Sequence, residues 1–136
     1  MSLLLITGAI TLFLAIIIGW FMVLIGLKVK VVNSMFPGYR SLIKAHVDYL
    51  IMTVLTFTVY LVLSHLNLGP PKLTIAAICI GSLLNPFFFL LMAIKPDLDQ
   101  LKPPSSAIVQ IRALTSNALT SYGYIYALFV IIFSIL

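Results

Sequence analysis

His46 and Asp48 stand at the mouth of the stretch YRSLIKAHVDYLIMTVLTFTVYLVL, which is otherwise made of residues suited to lipid. An ionisable group at or inside a bilayer is expensive, so each is a functional candidate by default. A histidine in this position has three uses. It ligates a metal through a ring nitrogen, acts as an acid or base, or rests at the interface near the headgroups. Asp48 comes two residues later, about 200° around a helix, and so leaves the His46 face. It is expected to pair with Lys44 one turn back or with Arg40, because a charge near the interface needs a partner. On the His46 side, Tyr49, Thr53, Thr56 and Tyr60 follow at alternating spacings of three and four and make one polar stripe. Such a stripe needs the bundle interior, another subunit or a bound cofactor to face.

The elements that carry these groups follow from composition. The chain has 136 residues, 62% apolar and 8% charged, whereas soluble domains average about 25% charged. This composition cannot cover a water-facing surface and implies a membrane protein. Four segments reach the ~20 residues that span hydrocarbon as a helix: Leu3–Leu27, Leu42–Leu66, Leu73–Ile94 and about Ile111–Leu136. The expected fold is all-α and integral to the membrane, a single four-helix bundle over residues 1–136. The first apolar segment is too long for a signal-peptide core and lacks a cationic flank before Lys28, so it is expected to remain in the mature protein. The single cysteine, Cys79, excludes an intrachain disulfide and a multi-cysteine metal site and reads as a small packing residue.

The net charge of +5 points to topology rather than to nucleic acid. Lys28, Lys30, Arg40, Lys44, Lys95, Lys102 and Arg112 flank the first and third connections, whereas only Lys72 flanks the second. The positive-inside rule then puts the first and third connections in the cytoplasm and both termini outside, in an inner (plasma) membrane. The short NLGPPK link makes the second and third spans antiparallel neighbours. In KPDLDQLKPPSS, Pro96 and Pro103–Pro104 stop helix on either side of the acidic pair, and Ser105 or Ser106 is placed to cap a helix beginning near Ala107.

Span three places Asn85 mid-helix, directly before Pro86, which removes a backbone donor, frees the Ser82 carbonyl and favours a kink. Gly81, Ser82 and Asn85 form a small polar patch suited either to close packing or to one wall of a ligand site. In span four, Arg112, Ser116, Asn117, Tyr122, Tyr124 and Tyr126 spread around the helix and suggest several contact surfaces. His65 lies about 28 Å along the helix from His46, so the two do not share a metal within one chain; it reads as interfacial. No phosphate-cradling loop, nucleophile elbow or paired-histidine zinc motif is present, and three acidic residues argue against a proton relay.

IKAHVDYLIMTVL and GSLLNPFFFLLMAI, within about Arg40–Ile94, resemble the small four-helix membrane proteins related to styrene oxide isomerase and hydroxylaminobenzene mutase. The resemblance implies a homotrimer binding haem b between subunits, with His46 as axial iron ligand and Asn85 matching the third-span asparagine. Tyr49, above His46, offers a hydroxyl to the cofactor. In that family the ferric iron serves as a Lewis acid for an intramolecular rearrangement, here of a small apolar epoxide or hydroxylamine-like substrate. Gly81 and Phe89 stand where the isomerase carries an acidic residue and a tyrosine. Two alternatives stay open. The four-span layout is also similar to membrane glutathione and eicosanoid enzymes, but their asparagine and glutamate after the histidine are absent. The other alternative is a noncatalytic small subunit of a larger membrane complex.

Overall fold

The computed structural model describes the backbone of residues 1–100 and 105–136, with side chains except at 99–100, 105–109 and 112. Lys102, Pro103, Pro104, the cap assigned to Ser105 or Ser106, and the side chain of Arg112 therefore lie outside the described residues. Four long helices dominate: α1 (Ser2–Gly26), α3 (Tyr39–His65), α4 (Lys72–Ile94) and α5 (Ser105–Ile135). A short α2 (Lys30–Met35) and a 3₁₀ turn (Pro96–Gln100) lie in the first and third connections, where the sequence suggested only loop. All four long helices are long and apolar enough to cross a membrane. The apolar segments understate two of them: α3 starts at Tyr39 and α5 at Ser105, ahead of Leu42 and Ile111.

Both ends of the first hairpin are closed by the same device. Lys28 adopts a left-handed φ of 58°, and the Lys28 and Val29 amides donate back to Ile25 and Leu24. Asn67 does likewise at φ 53°, with Asn67 and Leu68 donating to Ser64 and Leu63. These are Schellman stops, which satisfy the last carbonyls of a helix. Lys28 is neither glycine nor asparagine, so the usual sequence signal for this stop is missing there, whereas Asn67, followed by Pro70, carries it.

The helices pack in chain order. α1 lies along α3, α3 along α4 and α4 along α5, while α1 also touches α4. The Gly38 amide donates to the Ala93 carbonyl (2.9 Å) and ties the start of α3 to the end of α4. Lys28, Lys30, Arg40, Lys44 and Lys95 therefore gather at one end of the bundle, with Lys72 at the other.

The interior has two apolar clusters with a polar waist. One, toward the lysine-rich end, joins Ala15, Ile18, Phe36, Leu42, Ala45 and Tyr49. The other joins Leu4, Val59, Leu63, Ile75, Ile78 and Ala127, with half-buried Cys79 packed against it. Between them Thr11, Thr53, Thr56 and Ser82 are all buried. The outside is apolar as well: Leu3, Phe13, Trp20, Val54, Ile125 and Phe133 are exposed. That surface suits a bilayer, where helix association relies on close packing and internal hydrogen bonds.

Candidate functional site

α3 is the helix on which the candidate residues meet, and it presents them on two opposite faces. On the α1 side, His46 Nδ1 lies 2.9 Å from the Ala15 carbonyl oxygen. A carbonyl only accepts, so Nδ1 carries a proton, and in the neutral imidazole Nε2 is then the nitrogen with the free lone pair. Nε2 has no hydrogen-bond partner among the described residues. Gly19, one turn along α1 from Ala15, makes the approach possible: a Cβ there would lie 3.1 Å from His46 Cε1. His46 is half-buried, at the margin of the α1–α3 contact.

Gly19 and the Ala15 carbonyl escaped the sequence reading, although a signal for them was present. Thr7, Thr11, Ala15 and Gly19 recur every fourth residue, a stripe of small side chains along which another helix approaches closely. That stripe is the face of α1 that α3 uses.

The polar stripe of α3 faces inward, and the hydroxyls of Tyr49, Thr53 and Thr56 find partners within the chain. Tyr49 is 1% exposed, and its hydroxyl lies 3.5 Å from the Leu83 carbonyl of α4. Thr53 Oγ1 is 2.9 Å from Thr11 Oγ1 and 2.8 Å from the Tyr49 carbonyl. Thr56 donates to the Met52 carbonyl (2.7 Å), leaving its oxygen to accept from Tyr124 (2.8 Å). The Ser82 hydroxyl, 2.9 Å from the same Tyr124 oxygen, then donates to it. One proton per hydroxyl is thus enough to link α3, α4 and α5. Tyr60 is half-buried beside the second apolar cluster. Tyr124 stood among six donors in the sequence, and only the packing singles it out; Tyr122 is exposed, with its ring 6.1 Å from that of Tyr126.

The opposite face of α3 holds Asp48. Its partner is neither Lys44 nor Arg40 but Asn85, whose Nδ2 donates to Asp48 Oδ2 at 2.9 Å. Lys44 turns away, with Nζ 5.9 Å from the centre of the Phe89 ring, a cation–π distance. Lys44 shares the α4-facing side of α3 with Asp48, but its ammonium lies over the Phe89 ring, and the polar group that reaches the carboxylate comes from the neighbouring helix. Asp48 and Asn85 each lie roughly 13 Å along their helices from the lysine-rich ends, at 1.5 Å per residue. The pair sits beside a shallow groove of about 330 Å³ lined by Ile43, Lys44, Val47, Ile51 and Phe89. α4 runs unbroken through Pro86, which is buried.

Within one chain, then, His46 and Tyr49 are neighbours on α3, whereas Asn85 is committed to Asp48 on the other side of that helix. His65 ends α3 and is exposed. No group of three or more histidine, cysteine, aspartate or glutamate side chains is placed to hold a metal ion among the described residues. A haem needs no such cluster, because its porphyrin supplies the equatorial ligands and the protein only an axial one. His46, with its proton held on Nδ1 and Nε2 unpartnered, has the chemistry of such a ligand. No family model, curated protein or solved structure matches the chain.

Proposed function

We propose that the chain is an integral membrane protein that self-associates, as a homotrimer by the resemblance noted above, and binds haem b through His46 Nε2. The observation that carries this reading is the His46 Nδ1–H bond to the Ala15 carbonyl. A backbone acceptor on one ring nitrogen fixes the tautomer and aims the other nitrogen, an arrangement typical of histidines that ligate iron or zinc. Ala15 and Gly19 orient the imidazole, and the apolar cluster of Ala15, Ile18, Ala45 and Tyr49 keeps water from its inner side. The half-buried position of His46 suits a flat ring lying against the outside of one bundle and covered by a second copy. When bound, ferric haem would supply a Lewis acid for rearranging a small apolar oxygen- or nitrogen-bearing substrate.

Absorption spectra of purified wild type and His46→Ala test the reading. Wild type is expected to show a Soret band that His46→Ala loses or shifts. Gly19→Leu, which crowds the imidazole without removing it, is expected to lower haem retention. A colourless wild type, or a band indifferent to His46→Ala, overturns the proposal. In that event the alternative is a noncatalytic subunit of a membrane complex. Its support is that Thr53, Thr56, Ser82, Asn85 and Tyr124 are already partnered within the chain.

We also propose that both termini lie outside and the lysine-rich end faces the cytoplasm, because short loops follow the positive-inside rule most closely. Ser34 on α2 and Gly69 in the α3–α4 link are exposed, and a Cβ at Gly69 meets nothing within 4 Å. A membrane-impermeant maleimide is expected to label Gly69→Cys in intact cells, and Ser34→Cys only after permeabilisation. The reverse pattern would invert the topology.

A further inference from the structure

We propose that the groove between α3 and α4 binds a lipophilic primary ammonium, of which a medium-chain alkylamine is the simplest example. The chain has three acidic residues, Asp48, Asp97 and Asp99, and only Asp48 lies within a long helix. An ionisable side chain at that depth marks a functional site by default and needs partners. Asn85 supplies one, because its Nδ2 donates to Asp48 Oδ2 at 2.9 Å. Asp48 Oδ1 has no hydrogen-bond partner among the described residues, and it is not sealed in. The enclosed, unpartnered side-chain oxygens of those residues are Thr74 Oγ1 and Ser116 Oγ, whereas Asp48 lines the groove.

The surroundings suit an ammonium rather than a neutral head. A carboxylate only accepts, and an alkylammonium offers three N–H donors and a full positive charge. Its hydrogen bonds to Asp48 are charge-assisted, roughly twice as strong as neutral ones. The Asn85 side-chain carbonyl, which has no partner among the described residues, can accept a further N–H. That second acceptor matters, because an ion pair out of water is stable only when its remaining donors and acceptors are satisfied too. Asn85 thus serves the carboxylate through its amide and the cation through its carbonyl. One turn toward the lysine-rich end, the Lys44 ammonium lies 5.9 Å from the centre of the Phe89 ring, so this wall already accepts positive charge. Lys44 is exposed, and its flexible stem can carry the charge out to the headgroups as a ligand enters.

The walls define the rest of the ligand. The groove has a volume of about 330 Å³, with Ile43, Val47 and Ile51 of α3 beside Phe89 of α4. At ~30 Å³ per water-sized group, it holds on the order of ten non-hydrogen atoms. A second shallow depression begins at Ile51 and continues over Val54 and Leu55, away from the lysine-rich end. An amine arriving from the headgroups can therefore leave its nitrogen at Asp48 and lay its chain toward the middle of the bilayer. The inference is independent of the haem proposal, because His46 faces α1 and Asp48 faces α4.

The test measures equilibrium binding of tritiated decylamine to the full-length protein in phosphatidylcholine nanodiscs, with empty nanodiscs as the blank. Wild type is expected to bind saturably above the blank and to release the label to unlabelled decylamine. 1-Decanol, which has the same chain and no charge, should displace it several-fold less well. Asp48→Asn keeps the size of the side chain and removes its charge, and should weaken binding several-fold. A melting curve checks that this variant is folded, and the competition on wild type stands whether it is or not. Asp97→Asn, outside the groove, should bind like wild type. Lys44→Gln removes the resident cation and should bind at least as tightly as wild type. Binding no greater than the blank, equal displacement by 1-decanol, or indifference to a folded Asp48→Asn would overturn the proposal. So would weaker binding by Lys44→Gln, since the lysine rather than the carboxylate would then hold the ligand.

Discussion

Gly81→Leu is expected to unfold the α4–α5 half of the bundle, at a cost of about 3 kcal/mol or more, the upper range for overpacking. A Cβ at position 81 would lie 2.8 Å from Thr120 Cα and 2.9 Å from Thr120 N. These are backbone atoms of α5, so no side chain can swing aside and the whole helix must move. Gly123 meets α4 in the same way, because its Cβ would lie 2.9 Å from the Ile78 amide nitrogen. Displacing α5 also separates Tyr124 from Ser82 and Thr56. Lipid offers no hydrophobic force to restore the contact, since its chains solvate the exposed faces as well as protein does. Thermal unfolding in mild detergent is the measurement. Gly69→Ala, at a position open to solvent, is the control and should stay within about 0.5 kcal/mol of wild type. A Gly81→Leu protein that melts with wild type would mean that α4 and α5 are not in backbone contact.

Asn85→Leu is the second substitution expected to have a large effect. It removes the amide that donates to Asp48 and leaves a carboxyl well inside two apolar helices without that partner. An unsatisfied group of this kind costs about 2–3 kcal/mol, more than the average hydrogen bond measured between membrane helices. Asp48→Leu alone should be milder, because the group stranded is then a neutral amide. The double substitution should recover most of the loss, since two apolar side chains of similar size need no partners in lipid. The non-additivity is therefore the diagnostic quantity, measured as a double-mutant cycle by thermal unfolding. If the two single effects simply add in the double variant, the Asp48–Asn85 bond contributes nothing and Lys44 becomes the candidate partner of Asp48.

What the sequence determined on its own follows from the bilayer. Apolar stretches of spanning length, with so few charges, leave a chain no structure but helices that satisfy their own backbone, so the four long helices were legible from Leu3 to the last residues. The stripe from His46 to Tyr60 was legible too, because helical periodicity assigns each side chain an azimuth. Periodicity does not say which neighbour occupies that azimuth. Asp48 was correctly set apart from His46, yet its partner proved to be Asn85 rather than Lys44, because the packing of α3 on α4 chose it. Tyr124 was one donor among several until Thr56 and Ser82 were brought to it. The stop at Lys28 and the short α2 also stayed hidden, because each depends on a local conformation that residue type alone did not signal. Gly19 is the sharpest case. In sequence it is one small residue in an apolar run, and only the approach of α3 to α1 makes its missing side chain the space through which His46 reaches the Ala15 carbonyl.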